Sequence, residues 1–211
     1  MHKVVMGIAL AWPVAAQADE VVIAALGDSL TQGYGLVAEQ GFVPQLQAWL
    51  DGQGAEVRLI NAGVSGDTTA GGLSRVAWTL TPEVDAMIVA LGANDLLRGI
   101  DPAVSRANLD GILQAADAAQ VDVLLLGMEA PGNFGPEYKA EFDAMYPDLA
   151  RDYDTLFAAR FFDGLAAEGS DLASVRDDMQ PDGIHPNAEG VAKIVAALGP
   201  EVLKLIARAE E

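Results

Sequence analysis

Three side chains able to carry acyl-transfer chemistry stand in turn-like strings: Ser29 in GDSLTQGYG, and Asp182 with His185 in DGIHPNAEG. A serine hydroxyl is a weak nucleophile until a base takes its proton, and an imidazole is the usual base. That imidazole needs an acceptor on its other nitrogen to fix its tautomer and stabilise the imidazolium. Asp182, three residues before His185, is close enough to reach back. The tetrahedral oxyanion needs preorganised donors. The N–H groups of Ser29 and Gly63 and the amide of Asn94, in the strings NAGVSGDTT and LGANDLLRG, can supply them.

Other chemistries are poorly provided for. The chain has no cysteine, which removes thiol nucleophiles, disulfides, iron–sulfur clusters and a lipid-anchoring cysteine. His2 and His185 are the only histidines, too few for a nitrogen- or sulfur-rich zinc site. A carboxylate-only Mg²⁺ or Ca²⁺ site stays open, but no EF-hand spacing occurs. The reading assigns neither metal nor cofactor. GDSLTQG lacks the Gly-Lys-Ser/Thr ending of a phosphate loop. No G-x-S-x-G elbow occurs either, which argues against an α/β-hydrolase.

These segments must be positioned by an alternating framework. Val21–Leu26 is continuously apolar and reads as a strand buried on both faces. Val57–Asn61, Ala86–Leu91 and Val121–Met128 follow as strands, with a weak fifth near Arg160–Phe162. Helical periodicity covers about Phe42–Leu50, Thr68–Leu80, Val104–Ala119, Glu137–Ala159 and Glu189–Ala209, with a break expected at Gly199-Pro200. Strand–helix alternation predicts a parallel sheet with helices on both faces. Working residues then belong in the loops after the strands' carboxyl ends, where all four strings fall.

The chain has 211 residues, 51% hydrophobic and 20% charged, a globular composition with room for one well-buried domain. Twelve basic against 31 acidic residues give a net charge of −19, which disfavours nucleic acid and anionic membrane surfaces. Met1–Lys3, the apolar run from Val4 to Leu10 and Ala16-Gln17-Ala18 follow the pattern of a secretory signal peptide. The expectation is a leader over residues 1–18, one catalytic domain over 19–211, and export to a bacterial periplasm or the medium. The apolar stretch is too short to span a bilayer, so the reading is not an integral membrane protein. Removal of the leader would leave His185 as the sole histidine.

Together these strings resemble the blocks of the GDSL, or SGNH, hydrolase family. Ser29 stands in the first, Gly63 in the second, Asn94 in the third, and Asp182 with His185 in the last. Within that family the chain is most similar to the periplasmic arylesterase, thioesterase and lysophospholipase group. The likeness runs from Val21 to about Gly190 and includes APGNFGPEY at Ala130–Tyr138. It implies a three-layer α/β/α sandwich, with a flavodoxin-like five-stranded parallel sheet in the order 2-1-3-4-5. It also implies hydrolysis of carboxylic esters and thioesters, and lysophospholipids among them, through an acyl-enzyme on Ser29. Ala93 departs from the pattern, because many relatives carry a second glycine before the asparagine.

The expected partner is a small ester or lipid substrate. Leu96, Leu97, Arg98 and Ile100, in a loop that contacts substrate in relatives, with Phe134 and Tyr138, are candidates for binding it. Arg98 could meet a phosphate head group. Two alternatives remain: a carbohydrate O-acetylesterase, which needs a shallow aromatic cleft, and a secreted binding module without turnover. Nothing in the sequence addresses the oligomeric state.

Overall fold

A computed structural model describes residues 20–165 and 172–211 of the chain. The expected leader lies outside the described residues. Five parallel strands form one sheet in the order β2-β1-β3-β4-β5: β1 Val21–Gly27, β2 Val57–Gly63, β3 Ala86–Ala90, β4 Asp122–Leu126 and β5 Leu156–Ala158. The expected strand order is the one found. β1 and β3 are buried throughout, as strands covered on both faces must be, whereas β2 is a half-exposed edge strand.

The helices are α1 Ser29–Gln32, α2 Phe42–Gln53, α3 Thr69–Thr79, α4 Ala93–Leu97, α5 Pro102–Ala118, α6 Pro136–Asp152 and α7 Ala188–Ala209. α2 and α7 pack together on one face of the sheet; α3, α5 and α6 cover the other. Side chains mark several of the starts. Thr68 caps α3 by accepting from Gly71, Asp101 caps α5 with Pro102 in its first turn, and Asn187 caps α7 through Glu189 and Gly190. Among the described residues no helix is long and apolar enough to cross a membrane.

The fifth strand lies upstream of its expected place. Helical periodicity carries on through Leu156 and Phe157, but Asp154 takes a left-handed φ of 52° and ends α6, freeing Leu156–Ala158 to pair with Leu124–Leu126. Phe161 is apolar because it fills the core beside Phe42, with ring centroids 5.2 Å apart.

α7 does not break at Gly199-Pro200. Ala196 and Pro200 both lie on its exposed side, so the carbonyl that loses its donor to the proline can be hydrated. Gly199 is present for packing: a Cβ there would come within 2.6 Å of the Trp49 ring of α2. Gly199→Ala should therefore cost about 1–3 kcal/mol in urea unfolding. Gly52→Ala, on the same α2 but with nothing within 4 Å of the added methyl, should instead gain about 0.5–1 kcal/mol. Equal effects at both sites would refute the packing role.

Candidate active site

β1 delivers the serine. Asp28, the next residue, is fully buried, and its Oδ1 accepts the Leu30 N–H at 3.0 Å, which starts α1 with Ser29 as its first residue. The capping residue is thus Asp28, and the serine hydroxyl is left for other contacts. Ser29 Oγ lies 2.8 Å from His185 Nε2, and His185 Nδ1 lies 2.7 Å from Asp182 Oδ2. The other Asp182 oxygen accepts the N–H groups of Ile184 and His185, at 2.9 and 3.0 Å. The His185 N–H, the imidazole and the Ile184 N–H, in that order, hold Asp182 down at about 2. An ionised Asp182 fixes the ring proton on Nδ1 and leaves Nε2 to accept from the serine.

The loop bearing the histidine is itself held. Gln180 donates its N–H to the His185 carbonyl at 2.7 Å. Its Nε2 reaches the carbonyls of Tyr34 at 2.8 Å and Pro186 at 3.0 Å. The Tyr34 ring rests 4.8 Å from the imidazole, centroid to centroid.

Asn94 enters from β3 through Gly92, whose φ of 118° and contact with the Tyr146 hydroxyl exclude a side chain. Its Nδ2 donates to Asp28 Oδ2 at 3.1 Å. Asp95, fully buried, accepts the Thr69 N–H at 2.8 Å and the Ser105 hydroxyl at 2.9 Å, with the Thr69 hydroxyl on the same oxygen as Ser105. This ties α4 to α3 and α5. Ala93, where many relatives carry glycine, is partly buried and packs against the core.

Gly63 does not sit as expected. Its N–H is spent on Asn61 Oδ1 at 2.9 Å, and a Cβ there would strike the Gln32 backbone at 2.3 Å. It serves close packing of β2 on α1. Three residues on, Gly66 has a φ of 82°, and its N–H has no hydrogen-bond partner among the described residues. Ser65 Oγ donates to Gln32 Oε1 of α1 at 2.7 Å, and Arg98 Nη2 donates to the Gly66 carbonyl at 2.8 Å. Ser65 and Gly66 are therefore tied on one side to the helix of Ser29 and on the other to the turn after Asn94.

Below it, Arg75 pairs with Asp67 at 2.6 Å and donates to the carbonyls of Ala62 and Gly27, at 2.7 and 2.8 Å. The guanidinium clamps the ends of β1 and β2 together. Asp95 and Arg75, the Asp28 contact with Asn94 and the Gln180 contact with Tyr34 carry no local signature, because they join residues far apart in sequence.

The expected substrate residues divide. Leu97 and Phe134 are 60% and 44% exposed at the rim. Leu96 and Tyr138 pack against the core, the Tyr138 hydroxyl donating to the Ile100 carbonyl at 3.0 Å, and Ile100 is half-buried. Arg98 is engaged with Gly66. Trp49 lies against Gly199, and Trp78 sits in the last turn of α3, away from the strand ends where the serine stands. Among the described residues neither tryptophan supplies the aromatic cleft that a carbohydrate esterase would need.

A parallel three-layer sheet carrying a hydrogen-bonded Ser–His–Asp chain on its carboxyl edge defines a serine hydrolase. The chain belongs to the GDSL-like lipase/acylhydrolase family, whose model matches residues 25–193. It is 37% identical to esterase TesA of Pseudomonas aeruginosa over 90% of this chain and 92% of that protein. It is 33% identical to thioesterase 1/protease 1/lysophospholipase L1 of Escherichia coli over 91% and 87%. The crystal structure of AlinE4, an SGNH-hydrolase family esterase, matches with a TM-score of 0.72 and 42% identity, covering 90% of this chain and 98% of that one.

Burial raises Asp28 from the usual 3.8 to about 6, against the opposing hydrogen bonds from Leu30 and Asn94. A carboxyl whose pKa is raised by folding stabilises the fold below the unfolded value, and that increment is lost as pH rises through about 6. The increment is on the order of 2–3 kcal/mol. Urea unfolding should therefore show the stability of the wild type relative to Asp28→Asn falling between pH 4 and 7. A difference independent of pH would mean that burial does not control this carboxyl. Asp182 has the opposite sign: its contribution is present above the usual 3.8 and is lost as pH falls through about 2.

Proposed function

We infer that this chain hydrolyses carboxylic esters by two acyl transfers through Ser29. The observation that carries the reading is the chain Ser29 Oγ–His185 Nε2–His185 Nδ1–Asp182, at 2.8 and 2.7 Å, with the Asn94 amide anchored beside it. Ser29 Oγ attacks the carbonyl carbon as its proton passes to His185 Nε2, and Asp182 pairs with the resulting imidazolium. The oxyanion accepts from the Ser29 N–H, an Asn94 Nδ2 proton and the Gly66 N–H. The tetrahedral species collapses, the C–O or C–S bond breaks, and His185 gives its proton to the leaving alcohol or thiol. Water then attacks the acyl-Ser29 ester with His185 as base, releasing the acid and restoring the serine.

Gly66 replaces Gly63 in this scheme because its N–H is unspent and its neighbours fix it from both sides. Arg98 is assigned the task of holding Gly66 through its carbonyl, in place of a phosphate head group. The substrate class follows the relatives, among them the arylesterase of Vibrio mimicus, 31% identical over 90% of this chain and 92% of that protein. We take it to be aryl and acyl esters, acyl thioesters and lysophospholipids. The exposed Leu97 and Phe134 suit the acyl part.

Hydrolysis of p-nitrophenyl esters from acetate to palmitate tests the scheme. Ser29→Ala should abolish turnover and labelling by a fluorophosphonate probe. Asn94→Ala should lower kcat by about 10²–10³. Arg98→Met should lower kcat with KM nearly unchanged, because it loosens a donor and not the substrate. Turnover that survives in Ser29→Ala would refute the mechanism, and an Arg98 effect confined to KM would return that residue to the substrate.

Export belongs to the same reading, resting on the leader pattern of residues 1–18. Expression of the full chain in a Gram-negative bacterium should yield periplasmic protein beginning at Asp19. An intact amino terminus in the cytoplasmic fraction would remove export.

A further inference from the structure

Large apolar side chains exposed on this protein are distributed unevenly. Tyr34, Val37, Val64, Leu97, Phe134 and Ile184 all follow carboxyl ends of strands or flank His185. Scattered exposed apolar residues need no explanation, but a contiguous set on one face does. Contacts of these residues or their sequence neighbours join the loops into an arc, with Val37 three residues after Tyr34 in the loop that follows α1. The Tyr34 ring lies tilted against His185, the neighbour of Ile184, and Gln180 bonds both Tyr34 and Pro186. Ser65, beside Val64, is bonded to Gln32; Gly66 is bonded to Arg98, beside Leu97. The Phe134 ring lies where a Cβ on Gly99 would be 3.1 Å from it. Ser29 stands within this arc, bonded to His185.

The charge around the arc selects what can cover it. Residues 28–41, 61–68, 91–101, 127–139 and 179–187 contain two Lys or Arg in all, Arg98 and Lys139. Arg98 is spent on the Gly66 carbonyl, and Lys139 on Glu129, Asp143 and the Ala130 carbonyl. An anionic head group finds no free cation there, and the chain's net charge of −19 repels it. A second copy of the chain seated on the arc would close the entrance to Ser29. A surface made of the substrate's own kind would instead supply it.

We propose that this arc seats the protein on the surface of an aggregated zwitterionic amphiphile, bilayer or micelle, from which single ester molecules enter the site. The proposal deepens the ester-hydrolase reading and rests on it for the entry of substrate. Attachment draws on the buried apolar area alone, so it is weak and reversible and falls with each apolar side chain made acidic.

The full chain carrying Ser29→Ala, which cannot consume the lipid, is spun with phosphatidylcholine vesicles. It should pellet with them, and less when an equal part of phosphatidylglycerol is added. Adding Val37→Asp, at a position 61% exposed and outside the catalytic groups, should lower binding about fivefold or more. Adding Trp78→Asp, at 84% exposure on α3, should leave binding unchanged. With Ser29 intact, Val37→Asp should keep kcat/KM on p-nitrophenyl acetate and lose activity on micellar lysophosphatidylcholine. Unchanged urea unfolding confirms that the variant folds.

No pelleting, loss through Trp78 in place of Val37, stronger binding to phosphatidylglycerol, or a dimer that Val37→Asp dissociates would each overturn the proposal. The vesicle assay involves no turnover, so failure of the serine mechanism is read separately, in the probe labelling.

Discussion

The carboxylate of Asp28 joins the end of the central strand to two parts of the site at once. One oxygen caps the helix that starts with Ser29, and the other takes the Asn94 amide from the neighbouring strand's loop. Burial of such a group is costly unless its oxygens are satisfied. Here part of the cost is offset by contacts that fix the serine and the amide relative to each other. The group stands fully buried where β1 and β3 run side by side, so its two partners arrive from paired strands with no freedom to drift.

The remaining loops are fastened by the same device: a polar side chain ties a backbone group far away in sequence. Gln180 binds the histidine loop to the turn of Tyr34; Arg98 and Ser65 hold the Gly66 peptide; Asp95 anchors α4; Arg75 clamps two strand ends. Loops carry function because a rigid scaffold positions them, and their backbone groups need partners that no ladder provides. The site is therefore preorganised, which is what an oxyanion hole requires if its donors are not to pay for reorientation during the reaction.

What could be read from the sequence follows this division. Ser29, Asp182 and His185 were legible because acyl transfer demands those types and the chain offers few substitutes for a base. The parallel sheet was legible from its apolar runs. That the Gly63 N–H is spent on Asn61 Oδ1 was not legible, because only the fold shows which backbone groups are already engaged. The helix expected to run on to Ala159, and the strand placed at Arg160–Phe162, failed for a related reason. Apolar periodicity reports burial, and Phe161 is buried without belonging to the sheet. The break expected at Pro200 overlooked that a proline on the wet side of a long helix leaves only a hydrated carbonyl unpaired.

The excess of acidic residues, with Glu39, Asp101, Glu129 and Glu137 exposed in the loops around Ser29, discourages anionic contacts at long range. Described residues 28–41, 61–68, 91–101, 127–139 and 179–187 carry exposed apolar side chains and no unengaged Lys or Arg. Net charge acts over a Debye length, about 8–10 Å, while apolar contact acts only on touching. An uncharged or zwitterionic ester can therefore approach without a long-range barrier and be held at short range. An anionic one is opposed before it arrives. The imidazolium that forms during the reaction finds its counter-charge in Asp182, already ionised and already bonded to it.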